Sequence, residues 1–357
     1  MLNPALQSYY FVFYANNLRA EDPVTQPTDL VDSLIGIETS NLLVLQSFND
    51  TLYDRLGDLR FQPADRASGL WVRSTHSQAR KDGVFGFKSR QDRVDFGWDK
   101  RLNLSSGNKA WMGLTLQWHN LDLRNPYTHL NNHLMNVGAY ASVMNDAGWY
   151  ADWVARAGKY MTDNAPITIS GGVQAQARQL EQVSKNNPWV FNSSIELGRR
   201  FKLQERFFVE PQAQLNYSYM RHRDLALSET LGDQVNQWTG QADADESLMG
   251  RVGVAVGYTF MDADKSPVGG LYARVNYHRE FLGQLGIKLE SAQSNASNAV
   301  EPALSLALPY RKHWLSIDSG ITHQIGRSWL LHGGAGWTFK GIADRAWNIN
   351  FGARYVY

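Results

Sequence analysis

Between Ser68 and Tyr357 the sequence falls into long segments in which apolar and polar side chains alternate, each bounded by turn-forming clusters. In Ser247 to Phe260, the residues Leu248, Val252, Val254, Val256, Tyr258 and Phe260 share one face of a strand, and Arg251, Gly253, Ala255, Gly257 and Thr259 share the other. From Arg206 to Met220, Phe207, Val209, Ala213, Leu215, Tyr217 and Tyr219 oppose Glu210, Gln212, Gln214, Asn216 and Ser218. A period of two demands sheet, with one apolar and one polar face. A soluble sandwich buries the apolar face, whereas a membrane barrel turns it to lipid, and alternation alone does not separate the two.

Length, ring placement and loop spacing separate them. Crossing a bilayer takes about 9–11 tilted residues, against about five or six in an ordinary soluble strand. The segments read as strands near 68–77, 86–102, 109–124, 133–145, 149–162, 191–203, 206–222, 247–260, 269–284, 313–325, 328–340 and 346–357. Trp111 and Trp118, Trp149 and Trp153, Trp329 and Trp337, and Trp347 and Tyr357 stand near segment ends, as aromatic girdles at two interfaces require. Connections after the second, fourth, sixth, eighth and tenth segments are short turns, such as Asn145-Asp146-Ala147-Gly148 and Leu203-Gln204-Glu205. Those after the fifth, seventh and ninth are long and polar, over 163–190, 223–246 and 285–312, with room for a further hairpin around Pro302 to Tyr310. Short turns on one rim and long loops on the other is the arrangement of bacterial outer-membrane barrels. The expected fold is therefore an all-β membrane protein, a twelve-stranded antiparallel outer-membrane β-barrel. An even count closes the sheet and leaves no unpaired edge in hydrocarbon.

Composition agrees. The chain has 12 Trp, 16 Tyr, 15 Phe and 30 Gly in 357 residues but a mean hydropathy of −0.40, and no stretch approaches the roughly 20 apolar residues of a spanning helix. With 35 Lys plus Arg against 34 Asp plus Glu, scattered along the chain, no polybasic surface for nucleic acid is expected. The absence of Cys removes disulfides and thiol chemistry and suits passage through an oxidising periplasm. The first residues lack the pattern of a secretory signal, so the chain is expected to be a piece of a longer protein.

The 67 residues before the first strand read differently. Pro23 and Pro27 mark a linker over 1–27, which has an aromatic cluster at Tyr9, Tyr10, Phe11, Phe13 and Tyr14 and is taken as a passenger remnant or linker. From Thr28 the pattern becomes helical, with Leu45, Phe48, Leu52, Leu56 and Leu59 on one stripe, Thr28 and Asp29 as caps, and an end near Arg60, before Pro63. A helix over 28–60 joined directly to a barrel over 61–357 is best accommodated inside the pore, where Arg55, Asp58 and Arg60 would pair with lumen residues such as Glu210 and Arg251. Arg93, Asp95, Asp99, Arg251 and Arg354 are expected to face the same lumen, where charges either define an ion path or hold the helix.

The chemistry-bearing side chains form no recognisable catalytic or metal set. Nine His show no metal-ligand spacing, and no glycine-rich phosphate loop leads from a strand into a helix, so no cofactor or metal is expected. Thr75-His76-Ser77 and the pair His222 and Asp224 are the nearest approach to a hydrolase, without the nucleophile–base–acid relay one needs. The alternative to a non-enzymatic barrel is one with its own activity, a gated small-solute pore or a surface hydrolase.

The last segment resembles the C-terminal targeting strand of outer-membrane barrels: Asn350, then Gly352, then Tyr355 and Tyr357. An unpaired terminal strand with aromatics on its lipid face suits capture by strand addition to the assembly machinery. The run Arg55-Leu56-Gly57-Asp58-Leu59-Arg60, followed by Gly69-Leu70-Trp71-Val72-Arg73, resembles the junction of pore helix and first strand in autotransporter translocators. Phe208-Val209-Glu210-Pro211-Gln212-Ala213-Gln214-Leu215 is similar to a strand motif of the same family, and the likeness covers roughly 30–357.

The resemblance implies a type V secretion barrel that anchors in the outer membrane of a Gram-negative cell and delivers an N-terminal passenger to the surface. It implies as partners that passenger, the barrel-assembly machinery with periplasmic chaperones, and outer-membrane lipid and lipopolysaccharide, with the barrel a monomer. Some members of the family cut the passenger inside the pore at paired Asn residues just before the Arg-x-Gly-Asp-Leu-Arg motif. Here that place holds Asp50-Thr51, and the self-cleavage candidate is Asn49 with Asp50.

Overall fold

The structure, a computed structural model, describes residues 29–63, 65–83, 85–104, 108–163, 165–169, 178–184, 187–221, 223–231, 234–242, 245–290, 304–308 and 310–357. The expected remnant or linker over 1–27 lies outside them, as does His222.

Twelve strands close into one barrel. They are β1 (Ser68–Lys81), β2 (Phe87–Asn103), β3 (Lys109–Arg124), β4 (His129–Met144), β5 (Trp149–Thr162), β8 (Trp189–Arg199), β10 (Phe207–Met220), β13 (Asp245–Met261), β14 (Pro267–Glu280), β17 (His313–Ile325), β18 (Trp329–Phe339) and β19 (Arg345–Val356). Every neighbouring pair is antiparallel, and β19 pairs with β1 from Gly69↔Val356 to Arg80↔Arg345, so the ends of the wall meet without an edge. All twelve expected segments are strands.

The outward face is the apolar one. Phe207, Leu215 and Tyr217 of β10 and Val252, Val254 and Val256 of β13 are exposed on the outer surface, whereas Glu210, Gln212, Gln214, Asn216, Ser218 and Arg251 are buried within. The sheet thus inverts a soluble protein, with polar side chains in the centre and rings and aliphatics where lipid lies. Pro211 falls where the β10 ladder is interrupted. Pairing with β8 stops at Gln212↔Gly198 and resumes at Val209↔Phe201 with β9 (Phe201–Lys202) in the same register, because proline brings no N–H to the ladder.

Trp111 departs from the expected girdle. Its indole is buried in the lumen and donates to Gln62 Oε1 at 2.8 Å, whereas Trp118 is exposed on the lipid side. Seven positions separate the two, and an odd separation puts them on opposite faces of one strand. Trp149 and Trp153, four apart, and Trp329 and Trp337, eight apart, share the outer face as expected.

The three long connections are more ordered than loops. Each folds as a hairpin, β6 (Ala165–Ile169) with β7 (Arg178–Ser184), β11 (Arg223–Leu231) with β12 (Gln234–Ala242), and β15 (Leu285–Glu290) with β16 (Leu304–Leu308). The hairpins pair with one another through β7–β11 and β12–β15 into a six-stranded sheet at the long-loop rim. Separated by barrel strands in sequence, they become neighbours only once the barrel brings their stems together.

Candidate functional site in the barrel lumen

Residues 29–61 occupy the pore, as a broken rod rather than the single helix expected over 28–60. Helix α1 spans Asp29–Gln46, helix α2 spans Leu52–Leu56, and one 3-10 turn covers Leu59–Phe61. The break has local causes. Thr51 caps α2 in a reciprocal box with Asp54, which takes the Thr51 N–H at 3.1 Å, while the Ser47 carbonyl accepts from Arg93 Nη1 at 2.8 Å. The donor and acceptor that would have carried the helix on are thereby used elsewhere. Gly57 ends α2 at φ 68°, and its N–H donates to the Tyr53 carbonyl at 3.0 Å.

Three zones grip the plug. At the long-loop rim an apolar collar of Ala79, Phe87, Leu121, Leu123, Leu130 and Leu134 packs around Leu34, Ile37, Leu42 and Leu45 of α1. These wall residues sit at matching ends of β1, β2, β3 and β4, and they give an otherwise polar lumen a greasy ring. The first turns of α1 touch the same rim, since Asn125, in the β3–β4 turn, donates to the Asp32 carbonyl at 2.9 Å.

The middle zone is ionic. Asp50, at the break, accepts from Arg73 at 3.0 Å and Arg93 at 2.5 Å and lies 3.5 Å from Arg156, so strands β1, β2 and β5 converge on one carboxylate. Arg73 is shared with Asp95 at 2.6 Å. Gln214 Nε2 donates to the Asp50 carbonyl at 2.9 Å, and Arg274 donates to Thr51 Oγ1 at 3.2 Å. Asn49 places its side-chain amide 3.2 Å from His278 Nδ1. A cavity of about 240 Å³ runs beside this zone, bounded by Asp50, Thr75, Ser77, Asp318, Asn348 and Asn350.

The lower zone belongs to the Arg55–Arg60 motif. Arg55 pairs with Asp152 at 2.7 Å and lies over the Tyr140 ring at 4.6 Å. Asp58 pairs with Arg200 at 2.8 Å, and Arg60 lies 3.4 Å from Glu210. Tyr53 is the hub: its hydroxyl donates to Glu210 at 2.6 Å and accepts from Arg200 at 2.6 Å and Arg60 at 2.7 Å. Below it, Asp99 joins Arg354 and Tyr140, and Arg354 donates to Gln62 at 3.2 Å.

Of the expected contacts, Arg60 to Glu210 is formed, while Arg251 meets none of Arg55, Asp58 or Arg60. It instead lies 3.3 Å from Glu196 of β8, across the intervening β10, and Glu196 accepts the Leu52 N–H at 3.2 Å. Arg93, Asp95, Asp99 and Arg354 are buried in the lumen as expected. The sequence does not single out Arg200, Asp152 or Arg156, although Asp152 and Arg156 stand on the lumen-facing parity of β5 and Arg200, between β8 and β9, continues that of β8. In β19, Gly352 lies against the imidazole of His332, and Tyr355 and Tyr357 are exposed on the outer face beside Trp329 and Trp98. His76 pairs with Asp92 at 2.6 Å, at the outer rim of the wall, and Asp224 lies on β11.

A family model described as "Autotransporter beta-domain" matches residues 70–336. Among curated proteins the chain is 27% identical over 287 residues to the probable autotransporter YcgV of Escherichia coli, covering 77% of this chain and 28% of that protein. It is 26% identical over 323 residues to the BrkA autotransporter of Bordetella pertussis, covering 87% and 28%. The chain thus spans under a third of the length of these relatives. Among solved structures it is similar to the beta domain of the Bordetella autotransporter BrkA, at 21% identity and TM-score 0.60, covering 82% of this chain and 100% of that one. It is also similar to the translocator domain of NalP from Neisseria meningitidis, at 12% identity and TM-score 0.61, covering 91% and 99%. A closed twelve-stranded wall, a chain segment seated in its lumen and a family match over most of that wall lead to one conclusion: the chain belongs to the autotransporter beta-domain family and is an outer-membrane translocator barrel.

Proposed function

We propose that this barrel anchors an N-terminal passenger in the outer membrane and that the passenger leaves through the lumen, ahead of α1. The observation that carries this reading is the direction of the plug. α1 has its Asp32 end against the β3–β4 turn at the long-loop rim, and the chain then descends through the collar, the Asp50 cage and the Tyr53 hub before entering β1 at the short-turn rim. The N-terminal end of α1 thereby stands at the rim that faces outward.

The barrel itself serves as conduit and anchor without chemistry of its own. His76 Nδ1 lies 2.6 Å from Asp92 across β1 and β2, and its other ring nitrogen lies 3.2 Å from the Gln78 amide, so among the described residues no nucleophile joins the pair. The Asp50 carboxylate is committed to Arg73, Arg93 and Arg156, and Asn49 to His278, so we read both residues as plug anchors and expect the Asn49–Asp50 bond to survive. The barrel-assembly machinery, with periplasmic chaperones, is the partner that would take up the Asn350–Tyr357 strand, and the barrel works as a monomer.

The test is accessibility on intact cells. A signal peptide and an epitope tag ahead of Met1, in a Gram-negative host, should give a tag reached by antibody and by external protease, on a chain whose mass shows no cut at Asn49. A heat-modifiable barrel with a tag hidden in the periplasm would transfer the role to a gated pore or surface hydrolase.

A further inference from the structure

The outer wall carries a cleft that the translocator role does not use. Most of the lipid-facing surface is paved with large side chains, but Ala213 of β10 and Gly250 of β13 leave a gap. Ile195, Leu197, Leu215, Val252, Tyr277 and Phe281 stand around it, enclosing a cleft of about 390 Å³. Its floor follows one register row, Ile195↔Leu215, Leu215↔Gly250 and Gly250↔Arg279, across β8, β10, β13 and β14. Three inter-strand spacings give it a length of about 14 Å.

The row is oblique to the membrane. Arg279 is the next-to-last residue of β14 at the long-loop rim, whereas Ile195 lies six residues down from Trp189, which opens β8 at that same rim. The cleft therefore starts at the outer-leaflet headgroup level and descends into hydrocarbon, with the exposed Arg279 at the top; Arg251 also borders it but sends its buried guanidinium to Glu196 and Gln214 in the lumen. Arg279 is exposed, and its guanidinium rests 5.6 Å from the Phe281 ring. His313 is its register partner on β17, and Arg311, two residues before, is exposed as well. Among the described residues neither Arg279 nor Arg311 makes an ion pair, while Glu246 on the same outer face is engaged by the Tyr217 hydroxyl at 2.9 Å.

We propose that this cleft is a specific site for a phosphorylated, multi-acylated glycolipid of the outer leaflet, the chemistry of lipid A. One acyl chain lies along the Gly250–Ala213 gap, and the headgroup phosphate accepts from Arg279, with Arg311 and His313 beside it. Arginine is suited to the headgroup because its planar fork binds two phosphate oxygens at once. The small residues are suited to the chain because a side chain at Gly250 would meet Phe281, whose Cε2 lies 3.0 Å from a Cβ built there.

The experiment is native mass spectrometry of the refolded full chain in detergent with bisphosphorylated hexa-acyl lipid A, its dephosphorylated form, or phosphatidylglycerol as probes. The wild-type barrel should retain one lipid A preferentially. Arg279→Ala should weaken retention about tenfold, the effect of losing one charge-assisted hydrogen bond. Gly250→Leu should weaken it by blocking the chain, and Ala213→Met supplies the same test from the opposite strand if Gly250→Leu does not fold. Heat-modifiability should be unchanged in any variant compared. Equal retention by all variants, or of the dephosphorylated lipid by the wild type, overturns the proposal. Equal retention of phosphatidylglycerol does so too, by reducing the site to a general lipid surface.

Discussion

Asp50 of the plug and Arg93 of the wall meet at 2.5 Å in the middle of the lumen, and Arg73 and Arg156 close on the same carboxylate from two other strands. Three guanidinium groups around one acid are held in place only while the acid is there. Removing one partner from a buried ionic cluster costs about 3–5 kcal/mol, because the others are left desolvated and uncompensated.

Asp50→Ala should therefore loosen the plug while sparing the barrel. The wall retains its closed ladder and stays heat-modifiable, but single-channel conductance in planar bilayers should rise and protease should reach the 47–51 break. Conductance equal to wild type would place the seating energy of the plug in the collar and the Tyr53 hub instead.

The Tyr53 hydroxyl joins Glu210, Arg200 and Arg60, so Tyr53→Phe removes a contact to three charged groups without changing the shape of the ring. The expected loss is about 1–3 kcal/mol of plug docking. A double-mutant cycle with Glu210→Gln, read from the thermal transition of the heat-modifiable band, should show coupling well above that of any surface pair. Additive losses would mean that the hub is not one network.

Much of this architecture is legible in sequence because period two is a strong signal over strands this long. The twelve wall segments, the lumen-facing parity of Glu210, Arg251 and Arg354, and the wall-side aromatics all follow from it. The failures occur where a second period or a docking depth is needed. The break at 47–51 was signalled by Thr51 and Asp54 at capping-box spacing, but the stripe of Leu45, Phe48, Leu52 and Leu56 runs straight across it. Arg200 and Asp152 stand on lumen-facing positions, yet which plug residue each meets depends on how far the rod is inserted and how it is rotated. Of the loop sheet only room for a hairpin near Pro302 is legible, because the pairings that join the hairpins, β7–β11 and β12–β15, link segments distant in sequence.

Trp111 offers a direct check on parity. Brominated lipids should quench the fluorescence of Trp118 and Trp153 but leave Trp111 untouched, because it faces Gln62 in the lumen. Single-tryptophan variants of the refolded barrel make the comparison, and quenching of Trp111 would mean that β3 is shifted in register by one residue.

Two glycines, Gly57 in the plug and Gly352 in the wall, pack against the same histidine and should respond to substitution in different ways. Gly57 has φ 68° and ψ −168°, a conformation nearly confined to glycine, and a Cβ there would lie 3.0 Å from His332 Cβ. Gly57→Ala should cost about 1–3 kcal/mol, all of it in plug docking. Gly352 is ordinary strand, but its Cβ would come 2.1 Å from His332 Cε1, so Gly352→Ala should disturb pairing of β19 with β18 and slow barrel assembly. His332→Ala clears that space. Added to Gly352→Ala it should restore assembly, measured as the rate of appearance of the heat-modifiable band. Added to Gly57→Ala it should restore little, because alanine keeps the His332 Cβ at 3.0 Å, Thr322 Oγ1 stays at 3.1 Å and the φ penalty remains. Full rescue of both variants would assign both defects to the imidazole clash, and rescue of neither would remove His332 as the common contact.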